Sequence, residues 1–126
     1  MRLALLPERF AICRLPSQQP VPSWFHFRGE LTSITYTSDE CSIVCQEDIV
    51  PQDVHCERGW KAIKVIGPLD FSLTGILATL ATPLANAHIP LFALSTFDTD
   101  YLLIKENFVI DAQKTLNQSG HEFVDA

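Results

Sequence analysis

Residues 34–44 and 94–104 read as two copies of one pattern: an apolar strand, a polar turn holding an acid, then a second apolar strand. At a shift of 60 positions (94 − 34), Ile34, Ile43 and Val44 fall on Leu94, Leu103 and Ile104. At the same shift Thr35 falls on Ser95 and Glu40 on Asp100. Each copy is the signature of a β-hairpin. A strand precedes each hairpin, Arg9-Phe10-Ala11-Ile12-Cys13-Arg14-Leu15 in one half and Lys61-Ala62-Ile63-Lys64-Val65-Ile66 in the other. In the second strand Ala62, Lys64 and Ile66 alternate with Ile63 and Val65, the period of a half-buried strand.

The halves differ in what joins strand to hairpin. In the second, Leu73, Ile76, Leu77, Leu80 and Leu84 recur at the spacing of one helical stripe, which predicts a helix over about 71–88. Asp70 stands where an N-cap is expected, and Pro83 is expected to kink the helix or end its regular part. In the first half the same stretch carries Pro16, Pro20 and Pro22 and has room for a short turn around Ser23-Trp24-Phe25. Trp24, Phe25 and Phe27 are expected to cap the sheet where that helix is missing, or to form a patch for a second subunit. After the second hairpin, Val109, Ala112 and Leu116 predict another helix, Gly120 its C-cap, and residues 121–124 a last strand. The second half therefore reads β-α-β-β-α-β, and the first an eroded copy with Val50–Val54 as a stub of its second helix. The expected fold is α+β, a tandem of ferredoxin-like units. Residues 1–59 form the degenerate one and 60–126 the complete one, with strand 60–66 available to both.

Composition narrows the function classes. The chain has 126 residues, 15 acidic and 9 basic, for a formal charge of −6. Such a chain lacks the basic footprint of a nucleic-acid binder. No apolar run reaches the roughly 18 residues of a membrane span, and the opening Met1–Leu6 stretch is too short for a signal peptide. A soluble, cytoplasmic protein is expected. Cys13, Cys41, Cys45 and Cys56 then stay reduced. The Cys41/Cys45 spacing is not a zinc knuckle, so they read as small core residues, with no metal or cofactor expected.

Two segments can carry binding. Gly67-Pro68-Leu69-Asp70-Phe71-Ser72-Leu73-Thr74-Gly75 links a strand to a helix whose first amides and positive dipole end suit a carboxylate or phosphate. It lacks both the Gly-x-Gly-x-x-Gly and the Gly-Lys-Ser/Thr fingerprints. The alternative is a plain tight turn, with Gly75 allowing close helix–sheet packing. Ser95-Thr96-Phe97-Asp98-Thr99-Asp100 offers two carboxylates beside an aromatic, suited to an ammonium or guanidinium group or to docking a partner. The alternative is that Asp and Thr are simply good turn residues. His26, His55, His88 and His121 are scattered, and no nucleophile–base pair is present, so no enzyme is expected.

Together, the Gly67–Leu77 segment, Pro83-Leu84-Ala85, Ile89 and Leu94-Ser95-Thr96-Phe97-x-Thr99-Asp100-Tyr101 resemble the ACT-domain superfamily. The likeness is to small bacterial tandem-ACT proteins of the aspartate-kinase regulatory type and to one half of animal cytosolic arginine sensors. The resemblance implies a non-catalytic regulatory sensor that binds a small amino acid where two ACT units meet, in a homodimer. It also implies ligand contacts from Gly67, Pro68, Leu69, Asp70, Phe71, Ser72, Leu73 and Thr74. Further ligand contacts are implied from Ile89, Pro90 and Leu91, and from Thr96, Phe97 and Asp100. In the other half of those sensors the same turn docks a partner, which would assign Phe97, Asp98, Thr99 and Asp100 to protein binding instead. The sensors carry an acid at Leu73 and a serine at Pro90, so arginine itself is not implied.

Overall fold

The computed structural model describes residues 1–67, 69–70 and 73–125 and divides into two compact units. One is Glu8–Trp60; the other combines Met1–Pro7 with Lys61–Ala126. The first seven residues, expected with the N-terminal unit, thus belong to the C-terminal one. They form strand β1 (Arg2–Leu5), which pairs antiparallel with the second half of β5 (Cys56–Val65) at Leu3↔Val65 and Leu5↔Ile63. The apolar run at residues 3–6 is a core strand: Leu3 and Ala4 are fully buried and Leu6 nearly so.

The Glu8–Trp60 unit contains β2 (Phe10–Leu15), β3 (Ser33–Tyr36), β4 (Cys41–Gln46) and the first half of β5, in the order β3-β4-β2-β5. Period-2 alternation puts Ala11, Cys13, Cys41, Ile43 and Cys45 on one buried face. No helix joins β2 to β3, as the three prolines require. Trp24 and Phe25 pack on that face in its place, whereas Phe27 is exposed. The second helix is absent: after a 3₁₀ turn at Glu47–Ile49, the Val50–Val54 stretch expected as its stub forms turns and no helix. Arg58 ties the segment down by donating to the carbonyls of Glu47 (2.9 Å), Val50 (3.1 Å) and Pro51 (3.1 Å). The Gly59 amide adds a bond to the Glu47 carboxylate at 3.0 Å. Hydrogen bonding with Cys45, then burial, holds the Cys13 thiol far above its ordinary pKa, and burial raises Cys56. The four cysteines are free thiols, and no group of three metal-ligating side chains occurs among the described residues.

In the other unit β5 lies between β1 and β7 (Asp100–Lys105), with β6 (Phe92–Ser95) outside β7. The short β8 (Glu122–Phe123) runs parallel to β1 on its outer side. The place beside the opening strand that a final strand would take is held by β1, which displaces β8 to the edge. Helices α1 (Ile76–Asn86) and α2 (Val109–Gln118) bury Leu80, Leu84, Val109, Ala112 and Leu116 against Leu3, Ile63, Val65, Leu102 and Ile104. This is the expected βαββαβ plan, with both helices present.

The hairpin repeat is real, but its shift is 59, not 60. The registers align Tyr36↔Cys41 with Ser95↔Asp100 (95 − 36). Thr37 then matches Thr96, Asp39 matches Asp98, and Glu47–Ile49 matches the 3₁₀ turn Glu106–Phe108. Residues 101–104 are buried as one unbroken run, so apolar matching scores either shift. The Thr-x-Asp turn decides between them.

Helix α1 begins five residues later than the expected Asp70 cap allows. Gly75 occupies the N-cap at φ 75°, without a side-chain cap. A Cβ there would meet open space, so glycine is required by the left-handed backbone and not by close packing. Both helices end in Schellman turns, with 6→1 bonds from Ile89 to Leu84 (2.9 Å) and from His121 to Leu116 (3.1 Å). Gly120 supplies the positive φ at α2, and His88 does so at α1.

The helix runs through Pro83. A proline there leaves the Thr79 carbonyl without its i+4 amide, and His121 Nε2 stands 3.3 Å from that oxygen. His121, only 6% exposed, thus supplies from outside the helix the donor that the sequence removes. His121→Asn, whose amide is too short to reach, should cost about 1 kcal/mol in a urea titration. In a Pro83→Ala background, where an amide returns to Thr79, the same change should cost measurably less. Equal costs in both backgrounds would refute the link.

Candidate functional site

The site is built by the hairpin turn between β6 and β7 and by the segment that leads from β5 into α1. Thr99 fixes both. Its hydroxyl, on a residue 5% exposed, donates to the carbonyl of Val65 at the end of β5 (2.6 Å). Across the turn the Thr96 amide donates to the Thr99 carbonyl (2.8 Å), and the Thr96 side chain closes the same loop. The Leu69 amide then donates to the Asp98 carbonyl (2.7 Å), drawing the segment after β5 against the turn. Gly67 makes the approach possible. A Cβ there would lie 3.0 Å from the Leu69 nitrogen, 3.1 Å from the Asp98 oxygen and 3.3 Å from the Thr99 Cβ.

Between these segments opens a cleft of about 350 Å³ lined by residues of the second unit alone. Leu69, Leu73, Ile76, Leu77 and Phe97 form its apolar walls, and Asp70, Asp98 and Asp100 are its charged groups. No Lys, Arg or His is among the described lining residues. The Ser95 hydroxyl donates to the Asp100 carboxylate across the β6–β7 pair, orienting that acid. At the mouth of α1 the first internal bond is Thr79 N–H to Gly75 C=O (2.9 Å), so the amides of Ile76, Leu77 and Ala78 precede the helical ladder. The predicted apolar stripe accordingly splits. Leu80 and Leu84 enter the core, whereas Leu73 (52% exposed) and Leu77 (38%) face the cleft.

Of the residues singled out in the sequence, Leu69, Asp70, Leu73, Thr96, Phe97, Asp98, Thr99 and Asp100 are brought together here. Gly67 supports the cleft, and Thr74 is exposed without lining it. Pro68, Phe71 and Ser72 lie outside the described residues. Ile89, Pro90 and Leu91 are not in the lining. Ile89 is a core residue at the end of α1, Leu91 packs against that core, and Pro90 is exposed. Thr99 is too buried to present itself to a partner; its work is internal. Gly75, Ile76, Leu77 and Ser95 fall within the segments singled out in the sequence but not among the implied ligand contacts, and the structure adds them to the lining. Leu77 had a signal, since a stripe longer than the core face it must cover has to face something else.

The ACT-domain family model matches residues 55–118, which span the whole cleft. This chain belongs to the ACT-domain family. A second family model, described as an N-terminal domain, matches residues 8–53. A crystal structure of an Agobacterium tumefaciens protein superposes with a TM-score of 0.91 at 38% identity, covering 99% of this chain and 92% of that one. The ligand-free regulatory subunit of aspartate kinase from Thermus thermophilus shares the fold at a TM-score of 0.66 and 10% identity, covering 93% and 96%. Aspartate kinase from Clostridium acetobutylicum does so at 0.65 and 11%, over 93% of this ACT chain and 34% of the kinase. The family matched is the ACT domain and not a catalytic domain.

Replacing Gly67 with Ala should destabilise the ACT unit by about 1–3 kcal/mol, because a methyl group would press on backbone atoms. Thr99→Val should cost a similar amount by leaving the Val65 carbonyl without its hydroxyl donor, while Thr99→Ser should recover most of it. Denaturant midpoints of the three variants check this ordering.

Proposed function

We propose that the chain is a cytoplasmic, non-catalytic regulatory sensor that binds a small amino acid in the cleft between the start of α1 and the β6–β7 turn. Pairing of two chains in a homodimer would cover the bound ligand. The observation that carries the reading is the convergence of two opposite polarities on one cavity. Amides at the start of α1 suit an α-carboxylate, and the carboxylates of Asp98 and Asp100 suit an α-ammonium. The membership in the ACT family and the fold shared with aspartate-kinase regulatory domains agree with a regulatory role. No helix among the described residues is long and apolar enough to cross a membrane, and the net charge of −6 does not suit nucleic acid.

A second reading is favoured by one observation, the 79% exposure of Phe97 at the tip of the turn. There the turn would dock a protein partner through Phe97 and Asp98, and ligand binding would have been lost.

Calorimetry against the twenty amino acids separates the two. The sensor reading expects heat with at least one of them, and Asp100→Asn should weaken that binding about tenfold or more by removing one charge-assisted bond. No heat with any amino acid, together with a protein that co-purifies only when Phe97 is intact, would favour the second reading.

A further inference from the structure

We propose that the cleft selects a neutral amino acid with an aliphatic side chain, with Leu73, Leu77 and Phe97 as the specificity-determining residues. The inference rests on the amino-acid reading above and adds the class of ligand to it.

The lining offers a ligand side chain two contributions, one ionic and one apolar. Asp70, Asp98 and Asp100 give the cleft three carboxylates and no lining cation among the described residues, which disfavours any ligand carrying a second negative charge. A basic side chain would gain little in return. Asp70 and Asp98 are exposed to solvent and Asp100 already accepts from Ser95. An ion pair between a ligand side chain and the exposed Asp70 or Asp98 is worth no more than about fivefold in affinity, Asp100 being engaged by the α-ammonium. The apolar walls offer more. Leu73, Leu77 and Phe97 are 52%, 38% and 79% exposed, so each has apolar surface that a ligand side chain can cover. Fully burying a leucine-sized side chain is worth roughly 10–100-fold. The apolar contribution outweighs the ionic one.

The cavity volume is compatible with this. About 350 Å³ is at the small end of the range for ligand sites and has room for a four-carbon side chain beyond the zwitterion. Leu73 and Leu77 also explain themselves under this reading. Leu77 continues the stripe of Leu80 and Leu84 but leaves the core, and Leu73 precedes the helix; both are leucine where solvent alone would favour a polar residue.

The test is calorimetry of the full chain with glycine, leucine, lysine and aspartate, each with wild type and Leu73→Asp. Leu73 is half exposed and outside α1, so the variant should fold, and its thermal midpoint is measured alongside. Wild type should bind leucine at least tenfold tighter than glycine, several-fold tighter than lysine, and aspartate weakest. Leu73→Asp should lose about fivefold or more for leucine while gaining for lysine, reversing the order of those two. Lysine above leucine in wild type, or leucine no tighter than glycine, overturns the selectivity and leaves the amino-acid reading standing. Absence of binding by any of the four amino acids, with the remaining sixteen also silent, overturns both.

Discussion

The cleft depends on one buried hydrogen bond. Thr99 has to place its hydroxyl on the Val65 carbonyl, because the side chain is almost wholly removed from water and an unmatched hydroxyl there would cost more than the bond contributes. Once it is made, the β6–β7 turn is held over the end of β5, and Asp98 points its carbonyl at the Leu69 amide. Gly67 is the condition for that approach, since any side chain would meet backbone on two sides. Backbone bonds of the turn thus set where Asp98 and Asp100 stand, and Ser95 orients the Asp100 carboxylate.

Much of this was readable in the chain. The strand at 61–66, the two hairpins, the second helix and its glycine cap all follow from periodicity and turn chemistry, as does the loss of the first helix among three prolines. What failed shares a physical cause. Apolar runs buried on both faces, at Leu3–Leu6 and Tyr101–Ile104, carry no alternation, so the first strand went unread and the repeat slipped by one residue. Asp70 looks like a cap because caps are read from residue type, whereas the helix starts where Gly75 turns the backbone left-handed. The opposition of Leu69–Leu77 to Ser95–Asp100 was expected from resemblance. Spacing alone cannot show it, since it depends on a threonine reaching across to a neighbouring strand.

The two units solve the same packing problem differently. Each has its strands in an equivalent order and a Thr-x-Asp turn at the tip of its hairpin. Where the second unit covers its sheet with helices, the first uses two aromatic side chains and small thiols, and one arginine bonded to three carbonyls replaces a helix. Its turn at Thr37–Glu40 keeps the internal bonds of its counterpart but has no helix mouth facing it. The cleft described above belongs to the unit whose turn has a helix mouth beside it.

The pairing of β1 with a strand on the far side of Glu8–Trp60 has a consequence for synthesis. The first strand leaves the ribosome before its partner exists, so Leu3, Leu5 and Leu6 wait in water until residues 61–65 are made. The intervening stretch shortens that wait in space if not in time, because Phe10 pairs with Trp60 within its own sheet. Closing the intervening chain this way cuts the remaining loop roughly five- to sevenfold and lowers its entropy cost by about 1.5 kcal/mol. The eroded unit, whatever else it has lost, thus shortens the loop that β1 and the end of β5 have to close.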